Sequence, residues 1–179
     1  MSKLKEVTDA VCSGTMSLQD ASKSIDDFAM LLKKRLEDNL METRERIKVS
    51  SQELSAAISQ GDLSENAEYT AAINALKSAR IEESKLIQQL EAMDIDTTVD
   101  NYSNIGLVVL YTTVLLTDTY GTSFVVKLYP KNISDVENCI IDVQSRIGAG
   151  IYLKKKGDKV SVKHKGTGKT IEYVLKDFY

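Results

Sequence analysis

The chain has 179 residues, 42% of them hydrophobic, with 23 Lys+Arg against 26 Asp+Glu and a formal net charge of −3. That is apolar material for one packed domain or two small ones. No window approaches the eighteen consecutive apolar residues of a membrane span, and the opening MSKLKEVTD lacks the apolar run of a signal peptide.

The charge is unevenly divided. Residues 1–96 hold 12 basic and 18 acidic side chains, a net of −6, whereas residues 97–179 hold 11 and 8, a net of +3. This split predicts two domains, 1–96 and 97–179, that face different surroundings. The two cysteines, Cys12 and Cys139, have no metal-ligand spacing and fit reduced thiols of a cytoplasmic protein better than a disulfide framework.

The single proline is Pro130, so the first 129 residues are free to form long helices. Residues 2–12 carry a weak helical pattern (Leu4, Val7, Val11), broken by Ser13-Gly14-Thr15. Ser17 is a helix N-cap candidate. From Leu18 to about Ser59 the helical pattern is unbroken: Leu18, Ala21, Ile25, Phe28/Ala29, Leu32, Leu36, Leu40, Ile47, Leu54, Ile58. Polar residues fall at the expected seam positions 44 and 51, where Arg44 and Ser51 stand. A second helix is predicted from about Ser64 to Met93, with the seam Tyr69, Ala72, Leu76, Ala79, Glu83, Leu86, Leu90, Met93. Steps of three and four alternate throughout, which is a coiled-coil heptad with Glu83 as its polar intruder. Two such seams joined by a short link predict an antiparallel helical hairpin, and thirty residues at 1.5 Å each give a rod of roughly 45 Å.

Residues 94–104 read as a polar linker, after which the pattern becomes β. Ile105–Leu116 and Ser123–Tyr129 predict a hairpin turned by Asp118-Thr119-Tyr120-Gly121. Asn138–Val143 reads as a short strand, Ser145–Leu153 as a short helix, and Asp158–His164 with Lys169–Phe178 as two further strands. The C-terminal half is therefore a small α+β domain on an antiparallel sheet.

The link between the two long helices, residues 61–69, reads GDLSENAEY. Gly61 ends one helix. Asp62, with Glu65 three residues on, has the spacing of a capping box. On spacing alone, two carboxylates that satisfy helix-start amides are a sufficient explanation. The other explanation is that Asp62, Glu65 and Glu68 are clustered at an exposed tip and presented to another molecule. Oxygen donors of this kind suit a hard cation such as Mg²⁺, which takes one or two protein carboxylates and leaves its other positions to water or phosphate.

Two further clusters stand out. Residues 154–169 hold seven lysines, Lys154, Lys155, Lys156, Lys159, Lys163, Lys165 and Lys169, with Asp158 as the sole acid. They form either a docking patch for nucleic acid or an acidic protein, or the solvated face of a hairpin whose lysines discourage edge pairing. Gly166-Thr167-Gly168-Lys169-Thr170 ends like a phosphate-binding loop, but Lys163 stands where the motif needs its first glycine and a strand follows instead of a helix. His164 is the only histidine and has no catalytic partner in its neighbourhood.

The nonapeptide at 61–69, the coiled-coil hairpin and the β-rich C-terminal half together resemble the Gre family of bacterial transcript cleavage factors. The likeness runs from about residue 40 onward; LKKKGDKVSV and IEYVLKDFY match more loosely. The resemblance implies an FKBP-like C-terminal domain that docks at the rim of the RNA polymerase secondary channel. It implies a coiled coil that reaches the polymerase active site when the enzyme has backtracked. Asp62 and Glu65 would help to hold a Mg²⁺ shared with the polymerase and orient the attacking water at the backtracked RNA 3′ end. Gly61, Leu63, Asn66, Glu68 and Tyr69 would shape the tip. No cofactor bound by the chain alone, no small-molecule substrate and no membrane are implied. The chain would be an accessory that stimulates the polymerase's own hydrolysis.

It departs from the family at Ile58, where an Arg is usual, and at Ser145-Arg146, where the family has Ser-Pro. Ala149 replaces a further Arg. Three alternatives stand beside this reading: a Gre-like channel regulator without cleavage activity, a prolyl isomerase built on the C-terminal domain, and a coiled-coil adaptor.

Overall fold

The computed structural model describes residues 3–59, 67–93, 106–163 and 168–179. Two compact units are present: Met1–Leu31 with Ala92–Tyr179, and Leu32–Glu91. The composition shift groups the first 31 residues with the hairpin. In the fold they pack on the sheet, because backbone and side-chain polar groups of the sheet find their partners there.

In the first unit, helix α1 (Lys3–Cys12) leads into α2 (Leu18–Ser59). Ser17 is the N-cap that the sequence predicts. Its Oγ accepts from the Asp20 backbone N–H at 3.1 Å and donates to Asp20 Oδ2 at 2.6 Å. The strands are β1 (Thr113–Asp118), β2 (Ser123–Tyr129), β3 (Ile140–Asp142), β4 (Lys159–Lys163) and β5 (Thr170–Phe178), and a short helix α4 (Arg146–Ile151) follows β3. The sheet order is β3-β2-β1-β5-β4.

Every pairing is antiparallel except β2–β3, which is parallel. The sheet is therefore mixed where alternation alone suggests an antiparallel one. The cause is the connection. Residues 130–139 include a 3₁₀ turn at Val136–Asn138, and this return brings β3 alongside β2 in the same direction. Extended structure in β1 also begins later than its Val- and Leu-rich run suggests. Gly106 and Tyr111 both have positive φ, so the chain bends before Thr113.

Val114 pairs with Val126 and Leu116 with Phe124. These positions alternate onto one sheet face, where Val108, Leu128, Ile141, Ile151, Val160, Val162 and Leu175 complete a buried core. Burying a side chain of this kind contributes about 1.5–3 kcal/mol. The short β3 reaches only Lys127–Tyr129 of β2, so the Val125 N–H lies beyond the ladder. Thr8 of α1 accepts it at 3.0 Å. Helix α1 thus covers a strand edge that would otherwise present an unpaired donor.

Helix α4 lies against this core through two glycines. A Cβ on Gly148 would stand 2.1 Å from the Asp142 carbonyl oxygen, and one on Gly150 would stand 2.4 Å from Val160 Cγ1. The Asp142 oxygen is backbone and cannot swing away. Gly148→Ala is expected to destabilise the protein by about 1–3 kcal/mol, the usual cost of overpacking, measured by urea unfolding.

Cys139 is fully buried and Cys12 exposed. Burial pushes the Cys139 thiol up to about 12. Keeping that thiol protonated therefore favours the folded state below its ordinary titration range, and the advantage is lost as pH rises from that range toward 12. At neutral pH a thiol reagent should label Cys12 alone, with Cys139 reacting only on unfolding.

Candidate functional site

The second unit is the hairpin of α2 and α3 (Ala67–Met93). Arg44 Nε reaches Glu83 Oε1 at 3.0 Å, and Arg46 Nη2 reaches Glu82 Oε2 at 2.8 Å. The order of these partners makes the helices antiparallel. Arg44 and Glu83, two of the three polar interruptions of the sequence pattern, are paired with each other.

Helix α2 is described to Ser59, whose Oγ bonds the Ala56 carbonyl at 2.7 Å, and α3 from Ala67. Gly61, Asp62, Leu63, Glu65 and Asn66 lie outside the described residues. Glu68 is exposed in the first turn of α3 and Tyr69 is half-buried at the head of its seam.

The seam of α3 is the predicted one, with Ala72, Ala79 and Leu86 buried. The seam of α2 differs by one residue at every second step. Thr43, Ser50 and Ala57 are buried, while Arg44, Ser51 and Ile58 are exposed, Ile58 at 51%. Leu40, Ile47 and Leu54 are half-buried between them. The reason lies across the interface. Alanines on α3 favour close approach, and small residues on α2 meet them better than Arg or Ile would. A surface groove of about 500 Å³ runs between the helices, lined by Ser50, Ala75, Ser78 and Ala79 with Glu42, Glu45 and Glu53 along it.

In the first unit, a charged cluster interrupts the sheet face opposite the core. Lys127 lies mid-strand in SFVVKLY and is only 5% exposed. Its Nζ donates to Asp26 Oδ1 at 2.6 Å and to Ser22 Oγ at 3.0 Å. The Tyr129 hydroxyl donates to the same Asp26 oxygen at 3.0 Å, and the Tyr111 ring stands edge-on to it at 5.3 Å. Burial, with the Asp26 carboxylate beside it, holds the Tyr129 phenol far above its usual range. The sequence signal was there, a lysine inside an apolar strand, but its partner is about a hundred residues away.

The structure disperses the seven lysines. Lys154, Lys155 and Lys156 precede β4; Lys159 and Lys163 stand on the exposed alternation of β4; Lys169 precedes β5. All six are exposed, and Lys165 lies outside the described residues. Lys156 pairs with Asp177 at 2.8 Å.

On the core side, a groove of about 380 Å³ opens among Leu4, Phe124, Ile147, Val162, Ile171 and Tyr173, with Arg146 and Lys163 in its wall. Phe124 and Tyr173 meet edge-to-face at 5.4 Å. Its residues come from α1, β2, β3, α4, β4 and β5, which is why no local motif announced it. Among the described residues, no group of three or more His, Cys, Asp or Glu could hold a metal ion. No described helix is long and apolar enough to cross a membrane.

Residues 32–95 match a family model described as the N-terminal part of a transcription elongation factor, GreA_GreB_N. Over 115 residues the chain is 37% identical to transcription elongation factor GreA of Pelagibacter ubique (strain HTCC1062), covering 62% of this chain and 70% of that protein. Among solved structures it is similar to Gfh1 of Thermus aquaticus, at 20% identity and a TM-score of 0.37 over 82% of this chain and 92% of that one. It is also similar to the GreA/GreB factor of Nitrosomonas europaea, at 19% identity and 0.35 over 41% and 60%. Superpositions this loose add nothing to the sequence match.

The seam assignment is open to a direct test. Lysine at Ser51 or Ile58 should change stability by less than about 0.5 kcal/mol, because these positions face water. Lysine at Ser50 or Ala57 should cost about 2 kcal/mol or more through a buried charge. Thermal unfolding of the four variants separates the two registers.

Proposed function

The chain belongs to the GreA/GreB family of transcription elongation factors, and we propose that it is a transcript cleavage factor that rescues backtracked bacterial RNA polymerase. The carrying observation is the nonapeptide GDLSENAEY at the link between two antiparallel helices. A cap needs one carboxylate; this link supplies Asp62 and Glu65 together, with Glu68 exposed one turn on.

In this reading the hairpin enters the secondary channel and the globular unit docks at its rim. The apolar groove beside Arg146 is the surface suited to that docking. Asp62 and Glu65 offer oxygen donors to a Mg²⁺ that the polymerase half encloses, and they accept hydrogen bonds from the attacking water, which orients it toward the phosphodiester. When bound, that ion supplies charge stabilisation for the attacking and leaving oxygens. Leu63 and Asn66 shape the link, and Tyr69 seats it on the seam. The polymerase owns the remaining groups, so the chain acts as an accessory in the cytoplasm and its partners are the polymerase and the backtracked RNA 3′ end.

One observation favours a second reading, a channel regulator that does not promote cleavage. Ile58, which stands where the family usually has Arg, is exposed, so an apolar surface replaces a cation one turn from the link. Adding the protein to an arrested elongation complex with Mg²⁺ decides between them. Shortened RNA supports cleavage; slowed synthesis without shortening supports the regulator.

For the cleavage reading, Asp62→Ala with Glu65→Ala is expected to lower the stimulated rate by about 100-fold, the order seen when groups that set up a metal site are lost. Co-purification with polymerase should be unchanged. A double variant that cleaves like the parent would refute the role given to the tip.

A further inference from the structure

Among the described residues, the sheet face opposite the core is covered at one end only. Over β2 it is closed by α1 and the start of α2, which bury Val125, Lys127 and Tyr129. Over β5 and β4 it is open. Lys159, Ser161 and Lys163 alternate outward from β4, and the register sets Val174, Glu172 and Thr170 directly across from them. Lys176 is exposed further along β5.

The cations form two groups along the strand direction. Lys154, Lys155, Lys156, Lys159 and Lys176 gather at one end; Lys163 and Lys169 stand at the other. Four residues of strand separate Lys159 from Lys163, about 13 Å.

The acids nearby are largely engaged. Asp158 Oδ2 accepts the Lys155 backbone N–H at 2.9 Å, and Asp177 pairs with Lys156 at 2.8 Å. Glu172, opposite Ser161, is the exposed counter-charge in the middle of the face. Among the described residues, this face carries ammonium groups (Lys159, Lys163) and hydroxyls (Ser161, Thr170) beside Glu172 and Val174, and no aromatic ring. That chemistry suits phosphates and 2′-hydroxyls and offers no platform for stacking bases. Lys159 and Lys163 lie in line along β4 with the other cations at its two ends, a narrow track that matches one backbone better than the two of a duplex.

We propose that the open β5–β4 face is a sequence-independent site for the phosphate backbone of single-stranded RNA. The proposal does not depend on the tip chemistry. Contact with about three phosphates would give a log–log salt slope of about −2, so affinity should fall roughly twentyfold between 50 and 200 mM salt.

The test is fluorescence anisotropy of a labelled 12-nucleotide RNA titrated with the full chain. Lys159→Glu with Lys163→Glu should weaken binding at least tenfold, and the Gln pair should weaken it less. Glu172→Gln should tighten it two- to threefold by removing the repelling carboxylate in the middle of the face. Lys34→Glu with Lys48→Glu, on the acidic hairpin, should leave it within twofold. Circular dichroism of each variant establishes that it is folded. Three outcomes overturn the proposal: no salt-dependent binding, insensitivity to the Lys159/Lys163 changes, or equal competition by duplex DNA or by polyglutamate. The last would mark the face as a protein-docking surface.

Discussion

An ammonium group placed inside a sheet must be neutralised where it lies, because an unpaired buried charge costs several kcal/mol. Lys127 is in that position, and Asp26 and Ser22 meet it from the first turns of α2. Tyr129 spends its hydroxyl on the same carboxylate. With Thr8 holding the Val125 N–H, these bonds fix which part of the chain covers the sheet. They account for the N-terminal 31 residues belonging with a domain that is otherwise built from the last half of the sequence. A boundary drawn from composition cannot see this, since residues 1–31 look like the helical material that follows them.

The helices were legible because their signals are local. A serine cap, an uninterrupted run without Gly or Pro, and alternating three- and four-residue steps predict α2 and α3 nearly to their ends. The seam of α2 was less legible for a physical reason. Leu40, Ile47 and Leu54 belong to either register, and what decides between Thr43 and Arg44, or Ala57 and Ile58, is the residue across the interface. Large apolar side chains draw the eye in a sequence. Here the small ones go inside, because Ala72 and Ala79 face them.

The strands of the second half were legible for the same local reason, their alternation and turn residues. Their order was not, and neither was the parallel pairing of β3. Both depend on where a connection returns. The candidate site divides likewise. The acidic link is a contiguous motif and can be found by eye. The apolar groove draws on six elements and the Lys127 cluster on two that are distant in sequence, so neither leaves a motif to find. The lysine run shows the opposite case, since residues adjacent in sequence are sorted by the fold onto a loop, one strand face and the start of another strand.

The buried threonine, serine and alanines of the hairpin seam have one more implication. Side chains this short bring two helix axes toward the near end of the usual 8–10 Å spacing, so the girth of the hairpin is set by its smallest buried residues. Positions 43, 50, 57, 72 and 79 are therefore a calibre. Bulk added at any of them thickens the hairpin there, and under the proposed function, in which the hairpin enters a channel, the fit would be lost with every proposed functional residue unchanged.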